Sequence, residues 1–444
     1  MAEAEDQEIT AALAKLAVED TGVADDAQAA LDWIAGEQGL RLVTQERVQT
    51  FCWYELPVKW LTSLGDKVRV TGALARALDL LGLPRYAAIC RSDTTREILD
   101  AYEVSIEQGK AAFRLAAAAS GILPPDLPEF GWGPVMGVEE ASAWSATAEF
   151  LEMAVVGGDL VPGARGWKTR HQELVRSHLS TPRAELMGQA FAQLILTERV
   201  ETWVNVLRSD TRRQLLAAIA NRLLHPAELS AEAAADPLPR LRWLLGELDS
   251  GIALTQTGNL SQKFVQQAAD RFGWDFDRPP RTEDDLYDLH LLHHLAQRLR
   301  LARRAGRTLT LTAAGRRLAA DPERLWRATA AGLLEGDDFS VFAGELFLAL
   351  LLGTGPVPGE EIEATVGRAA GEEGFRESRS GEPPGEQDVS WAIHETINLC
   401  RALGLLAVGG DWRDRSYELA GVGQATALEA LRARATGPRT IPWP

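Results

Sequence analysis

Cysteine is nearly absent from this chain: Cys52, Cys90 and Cys400 are the only three in 444 residues. They are too few and too far apart for a disulfide framework or a CxxC-based zinc site, so they are expected as reduced core thiols. Lysine is scarce too, with Lys15, Lys59, Lys67, Lys110, Lys168 and Lys263 set against a basic complement that is otherwise arginine. Together with abundant alanine and glycine, that bias suggests a high-GC bacterial genome. No run approaches about 18 uninterrupted apolar residues, which argues against a membrane-spanning helix. The opening MAEAEDQEIT is acidic and lacks the basic flank and apolar core of a signal peptide, so a cytoplasmic protein without membrane contact is expected. There is no GxSxG elbow, no GxGxxG after a strand and no recognisable Cys-His spacing. These absences lower the expectation of an enzyme, and nothing in the sequence calls for a cofactor.

What is present is an ordinary globular composition, 46% hydrophobic and 25% charged, long enough for two to four domains. The net charge of −17 opposes non-specific attraction to nucleic acid. The charge is uneven, however. Residues 1–40 carry ten acids against Lys15, whereas residues 297–327 carry nine arginines against Asp321 and Glu323.

The pattern along the chain is mainly helical. A helical N-terminal region (1–125) has helix-spaced apolar residues over Ala27–Ile34, Glu46–Trp60, Val68–Leu81 and Thr94–Ala119. Four prolines and four glycines over residues 121–138 make that stretch a linker or an ordered loop. A central helical region (139–222) follows, read as helices over Glu139–Val155, Thr169–His178 and Pro182–Ala220. From residue 238 the order becomes helix, short strand, helix, helix and two-strand hairpin, which is that of a winged helix-turn-helix. Thr282 and Asp285 are expected to form a capping box for the third helix. The hairpin turns at Ala305-Gly306, between Leu301 and the alternating Leu309 and Leu311. A similar order recurs downstream, with strands over Leu405–Val408 and Ser416–Leu419. The expected fold is therefore mainly α, with tandem winged-helix domains at 238–334 and 339–436.

LTQTGNL (Leu254–Leu260), the RLRLARR…TLTLTAAGRRL run and ADPERLW (Ala320–Trp326) carry a resemblance. Through them the C-terminal half resembles a family of uncharacterised actinobacterial proteins and, more distantly, the tail of plasmid open-reading-frame-three-like proteins. The resemblance implies a helical, winged architecture and transfers no catalytic residue.

Candidate sites follow from charge and spacing. Arg303, Arg304 and Arg307 fall on the first wing, flanked by Arg298, Arg316 and Arg317, and guanidinium groups suit phosphates. Against DNA reading stand Glu283, Asp284, Asp285 and Asp288 at the start of the helix that would enter the major groove. They equally suit the positive end of a helix dipole. Arg165, Lys168 and Arg170 form a second basic group, in a sequence that only superficially resembles a phosphate loop. His290 and His294, four apart, match a metal-chelating pair but also ordinary polar helix positions, and no metal site is assigned. His394-Glu395 begins like HExxH, but Asn398 replaces the second histidine. Trp132 and Trp412 are expected as exposed partner contacts. The leading expectation is a non-enzymatic regulatory protein binding a protein partner. The alternatives are a DNA-binding regulator using the first wing and an enzyme with its site in the N-terminal half. Self-association is left open by the sequence.

Overall fold

The computed structural model describes residues 2–36, 39–40, 43–274, 279–353, 355–377, 380–411 and 414–440. The protein is mainly helical with two small antiparallel sheets, and it divides into two compact units, Met1–Ile195 and Leu196–Pro444. No described helix is long and apolar enough to cross a membrane.

In the first unit, helix Thr21–Ala35 buries Ala27, Ala30, Leu31 and Ile34 in a core shared with Val70, Leu74 and Leu78 of helix Leu64–Leu80. The stretch expected as one helix to Trp60 contains a wide π turn, Phe51–Glu55, between two short α segments. That turn brings Phe51, Cys52 and Trp53 inward together, and the Trp53 indole N–H donates to Thr95 Oγ1 at 2.7 Å. The helix expected over Thr94–Ala119 is two helices, Asp93–Val104 and Ile106–Ser120. Ser105 breaks it: the backbone there is extended, and its hydroxyl caps the second helix by accepting the Gln108 N–H at 3.1 Å. The segment expected as one helix to Ala220, which continues past Ile195 into the second unit, is also interrupted, with helices at Phe191–Asn205 and Asp210–Ala217 and Ser209 capping the latter.

In the second unit one order of elements occurs twice. The first run is helix Pro239–Asp249, β1 (Ile252–Ala253), helix Gln262–Phe272, helix Tyr287–Arg298, β2 (Ala302–Ala305) and β3 (Thr308–Leu311). The second is helix Asp338–Leu351, β4 (Val357–Pro358), helix Gly359–Glu373, helix Glu386–Leu403, β5 (Leu406–Gly409) and β6 (Ser416–Leu419). Each trio forms an antiparallel sheet with its last strand in the middle, in the orders β1-β3-β2 and β4-β6-β5. The sequence pattern misses β4, because two residues ending in proline show no alternation. Thr282 and Asp285 do bond reciprocally, at 3.4 and 2.9 Å, but they close a turn ahead of the helix, which starts at Tyr287.

Residues repeat along with the elements. Both third helices end in a Schellman motif: the N–H groups of Leu301 and Leu405 donate to Ala296 and Cys400, each at 2.8 Å. The left-handed residue is Gly404 in one (φ 78°) and Arg300 in the other (φ 55°). A glycine then packs on the carbonyl that opens each hairpin. A Cβ at Gly315 would lie 2.1 Å from the Leu301 oxygen, and one at Gly423 would lie 2.2 Å from that of Leu405.

A single apolar core runs through both copies, from Val200 to Ala435. Inside it, Arg212 meets Glu345 at 3.2 Å, donates to the Trp203 carbonyl at 2.9 Å and lies over the Trp203 ring. Arg434 reaches the other Glu345 oxygen at 3.0 Å. Burial pushes the Arg212 guanidinium pKa down, and the Glu345 carboxylate opposes that shift.

Candidate functional site

The third helices of the two runs, Tyr287–Arg298 and Glu386–Leu403, pack against each other in opposite directions. Asp288, at the start of the first, accepts from Arg401 of the second at 3.1 Å, and Arg298, at its end, meets Glu395 at 3.4 Å. Beside this seam runs a groove of about 520 Å³ bordered by Tyr287, His290, His294, Trp391 and His394. Trp391 is 72% exposed. Sequence reading missed it. The available signal was its place on the helix face opposite Val389, Ala392 and Ile393, where an apolar ring has no core to join.

His290 and His294 lie with their rings 4.2 Å apart, yet no third ligand joins them among the described residues. His293 turns inward instead. Its Nδ1 lies 2.7 Å from Glu283 Oε1, while Glu283 Oε2 accepts the Leu260 N–H at 2.6 Å. Glu283, 1% exposed, therefore ties the loop after β1 to the third helix. Three of the four acids that stood against a phosphate-facing helix are thus engaged, Glu283 with His293, Asp285 with the Arg281 and Thr282 N–H groups and Asp288 with Arg401.

The arginines fall into two groups. Arg298 is held by Glu335 at 3.1 Å, by Glu395 and by the Gly332 carbonyl, and Arg316 pairs with Asp249 at 3.2 Å. Arg303, Arg304 and Arg307 on the β2–β3 hairpin and Arg317 beyond it are exposed and make no ion pair among the described residues. Arg304 is nevertheless fixed: its Nε donates to the Gly306 carbonyl at 2.9 Å, and a Cβ on Gly258 would come within 3.0 Å of its Nη1. Between the hairpin and the Thr255–Asn259 turn lies a cavity of about 440 Å³, walled by Arg303, Arg304, His294, Gln297, Thr257 and Asn259.

In the first unit, Arg165, Lys168 and Arg170 are exposed around the start of helix Trp167–Ser180, and Arg170 pairs with Glu173 at 3.6 Å. Nearby His171 is buried and stacked on Trp167, and burial lowers its pKa. Trp132 is not an open contact: it is half-buried, packed edge-on between Phe130 and Trp144. Trp412 lies outside the described residues. A cleft of about 750 Å³ is lined by Thr44, Glu46, Arg47, Thr50, Ser145 and Glu149. Burial raises the Glu46 carboxyl pKa, with Glu149 and Glu152 adding to it, while the Trp144 indole N–H donates to Glu46 at 3.2 Å and opposes the shift.

Comparison with known proteins bears on the first of the two runs. Residues 241–324 match the family described as Y4jL N-terminal domain. That stretch, under a fifth of the chain, takes in β1, β2 and β3 and contains Arg298, Arg303, Arg304, Arg307, Arg316 and Arg317. No curated protein and no solved structure matches the chain.

Proposed function

We propose that the second unit is a pair of tandem winged helices, at 238–334 and 339–436, serving as a non-enzymatic regulatory module that binds a protein partner in the cytoplasm. The helical regions 1–125 and 139–222 precede them. The actinobacterial and plasmid-borne resemblance of the C-terminal half is the setting in which that partner would be sought. The observation that carries the reading is the mutual packing of the third helices. A winged helix that reads DNA lays this helix in the major groove; here each is occupied by the other through Asp288–Arg401 and Arg298–Glu395. Contact with a partner then falls to the first wing, whose exposed Arg303, Arg304 and Arg307 make no ion pair among the described residues and suit an acidic protein surface. Affinity purification at moderate salt tests this: the natural chain should retain a partner that Arg303→Glu with Arg304→Glu loses. A purification returning only the protein itself counts against the reading.

A second reading has support in the same arginines. With Glu283 buried and Asp288 neutralised, the first wing can contact DNA phosphates without groove reading. Duplex binding would then be steeply salt-dependent and lost on the same double substitution.

A further inference from the structure

The cavity beside the β2–β3 hairpin carries charge of the opposite sign to the chain as a whole. In a chain of net charge −17, its wall holds Arg303 and Arg304 and no carboxylate among the described residues. Arg304 is preorganised, held by the Gly306 carbonyl over Gly258, a residue at φ 97° where a side chain would press on the guanidinium. The opposite rim is also fixed: the Asn259 N–H donates to Thr255 Oγ1 at 3.1 Å and the Gly258 N–H to the Thr255 carbonyl at 3.2 Å. Groups held in place before binding lose less conformational freedom when a ligand arrives. His294 belongs to this wall and also to the groove between the third helices, so the cavities of about 440 and 520 Å³ adjoin. The second cavity offers ring faces from Tyr287, His290, Trp391 and His394. Partial burial, with His290 and His293 beside it, lowers the His294 pKa, and Glu283 opposes the shift.

We propose that the two adjoining cavities bind one small ligand, a phosphate monoester carrying a planar ring, of which a nucleoside monophosphate is the simplest case. Arg304 receives the phosphate, since a guanidinium fork matches its oxygens in charge and geometry, and Arg303, the next residue of β2 and so on its other face, adds charge at the rim. Trp391 and the neighbouring rings take the planar group by stacking, which every nucleobase permits. A concave site, with the third helix covered by its counterpart, suits a small ligand better than a duplex. This goes beyond partner binding but shares its arginines with the DNA reading, so the test must separate them.

The full chain is titrated at low salt with inorganic phosphate, ribose 5-phosphate, adenosine and guanosine 5′-monophosphates and a duplex of about 20 base pairs, followed by calorimetry and tryptophan fluorescence. The expected result is saturable nucleotide binding that quenches tryptophan, with ribose 5-phosphate weaker by roughly fivefold or more. Arg303→Gln with Arg304→Gln should weaken the nucleotide about tenfold or more. Trp391→Ala should bring the nucleotide down to the level of ribose 5-phosphate and leave the latter unchanged. All three positions are exposed, and a thermal melt confirms that the variants fold. No saturable nucleotide binding into the millimolar range overturns the proposal, as does binding indifferent to the arginine pair. Phosphate binding that gains nothing from the base overturns the ring site, and duplex binding through these arginines without nucleotide binding transfers them to the DNA reading. Copurification of a protein partner uses no added ligand, so it stands or falls separately.

Discussion

At the scale of single residues, the strongest commitments in this protein are buried charges and imidazoles. Arg212 is enclosed by Glu345, the Trp203 carbonyl and the Trp203 ring, so Arg212→Ala leaves a carboxylate in the core with Arg434 alone. A loss of about 3–5 kcal/mol in denaturant unfolding is expected, and a much smaller one when Arg212→Met is combined with Glu345→Leu. In the first unit, His178 sits between the Phe150 and Phe191 rings with Arg183 2.9 Å from its Nδ1. Burial and that guanidinium lower its pKa from 6.5 to about 4. Protonation therefore favours the unfolded chain. The stability given by the neutral ring is complete above pH 6.5 and is lost as pH falls toward about 4. Urea midpoints should fall across that window, less steeply in His178→Gln; an unchanged slope in the variant would refute the assignment. The Arg212–Glu345 and Arg434–Glu345 pairs are not written in the sequence, because they join residues far apart in the chain.

At the scale of elements, the two copies supply each other's controls. Arg300 and Gly404 occupy the same left-handed cap, and only the second has the residue that position favours. Arg300→Gly should stabilise by about 0.5–1 kcal/mol, and Gly404→Ala should cost about 1 kcal/mol, both read from thermal unfolding. Gly315→Ala and Gly423→Ala should each cost more, on the order of 2 kcal/mol, because a Cβ at either site would lie 2.1 or 2.2 Å from a carbonyl oxygen. The first hairpin and the strand Ser416–Leu419 were legible in sequence because alternation and turn glycines act locally. The break at Ser105 was not: helical apolar spacing continues through it, and a serine inside such a run reads as an ordinary polar position. Nor was the π turn at Phe51–Glu55, which only shifts the facing of a run that is apolar on several sides. The wing arginines were visible as a charge cluster. Their division into Arg298 and Arg316, which are paired, and Arg303, Arg304, Arg307 and Arg317, which make no ion pair among the described residues, depends on acids that the fold brings in from elsewhere.

At the scale of the whole molecule, each unit has its own core, and the functional reading rests on the second. On the reading proposed above, its repeated order of helix, strand, helix, helix and hairpin is that of a winged helix, with the third helices packed against each other and so closed to a groove. Trp391 and the His290–His294 pair border that seam, and the arginines of the hairpin stand next to it. The most direct measurement is duplex binding at low salt, compared across sequences and across two sets of variants. If the third helices are closed to the groove, any binding is weak, indifferent to sequence and abolished by Arg303→Glu with Arg304→Glu. Sequence-specific binding that survives those substitutions but is lost on His294→Ala with Gln297→Ala would contradict the mutual-packing reading and return the helix to the groove.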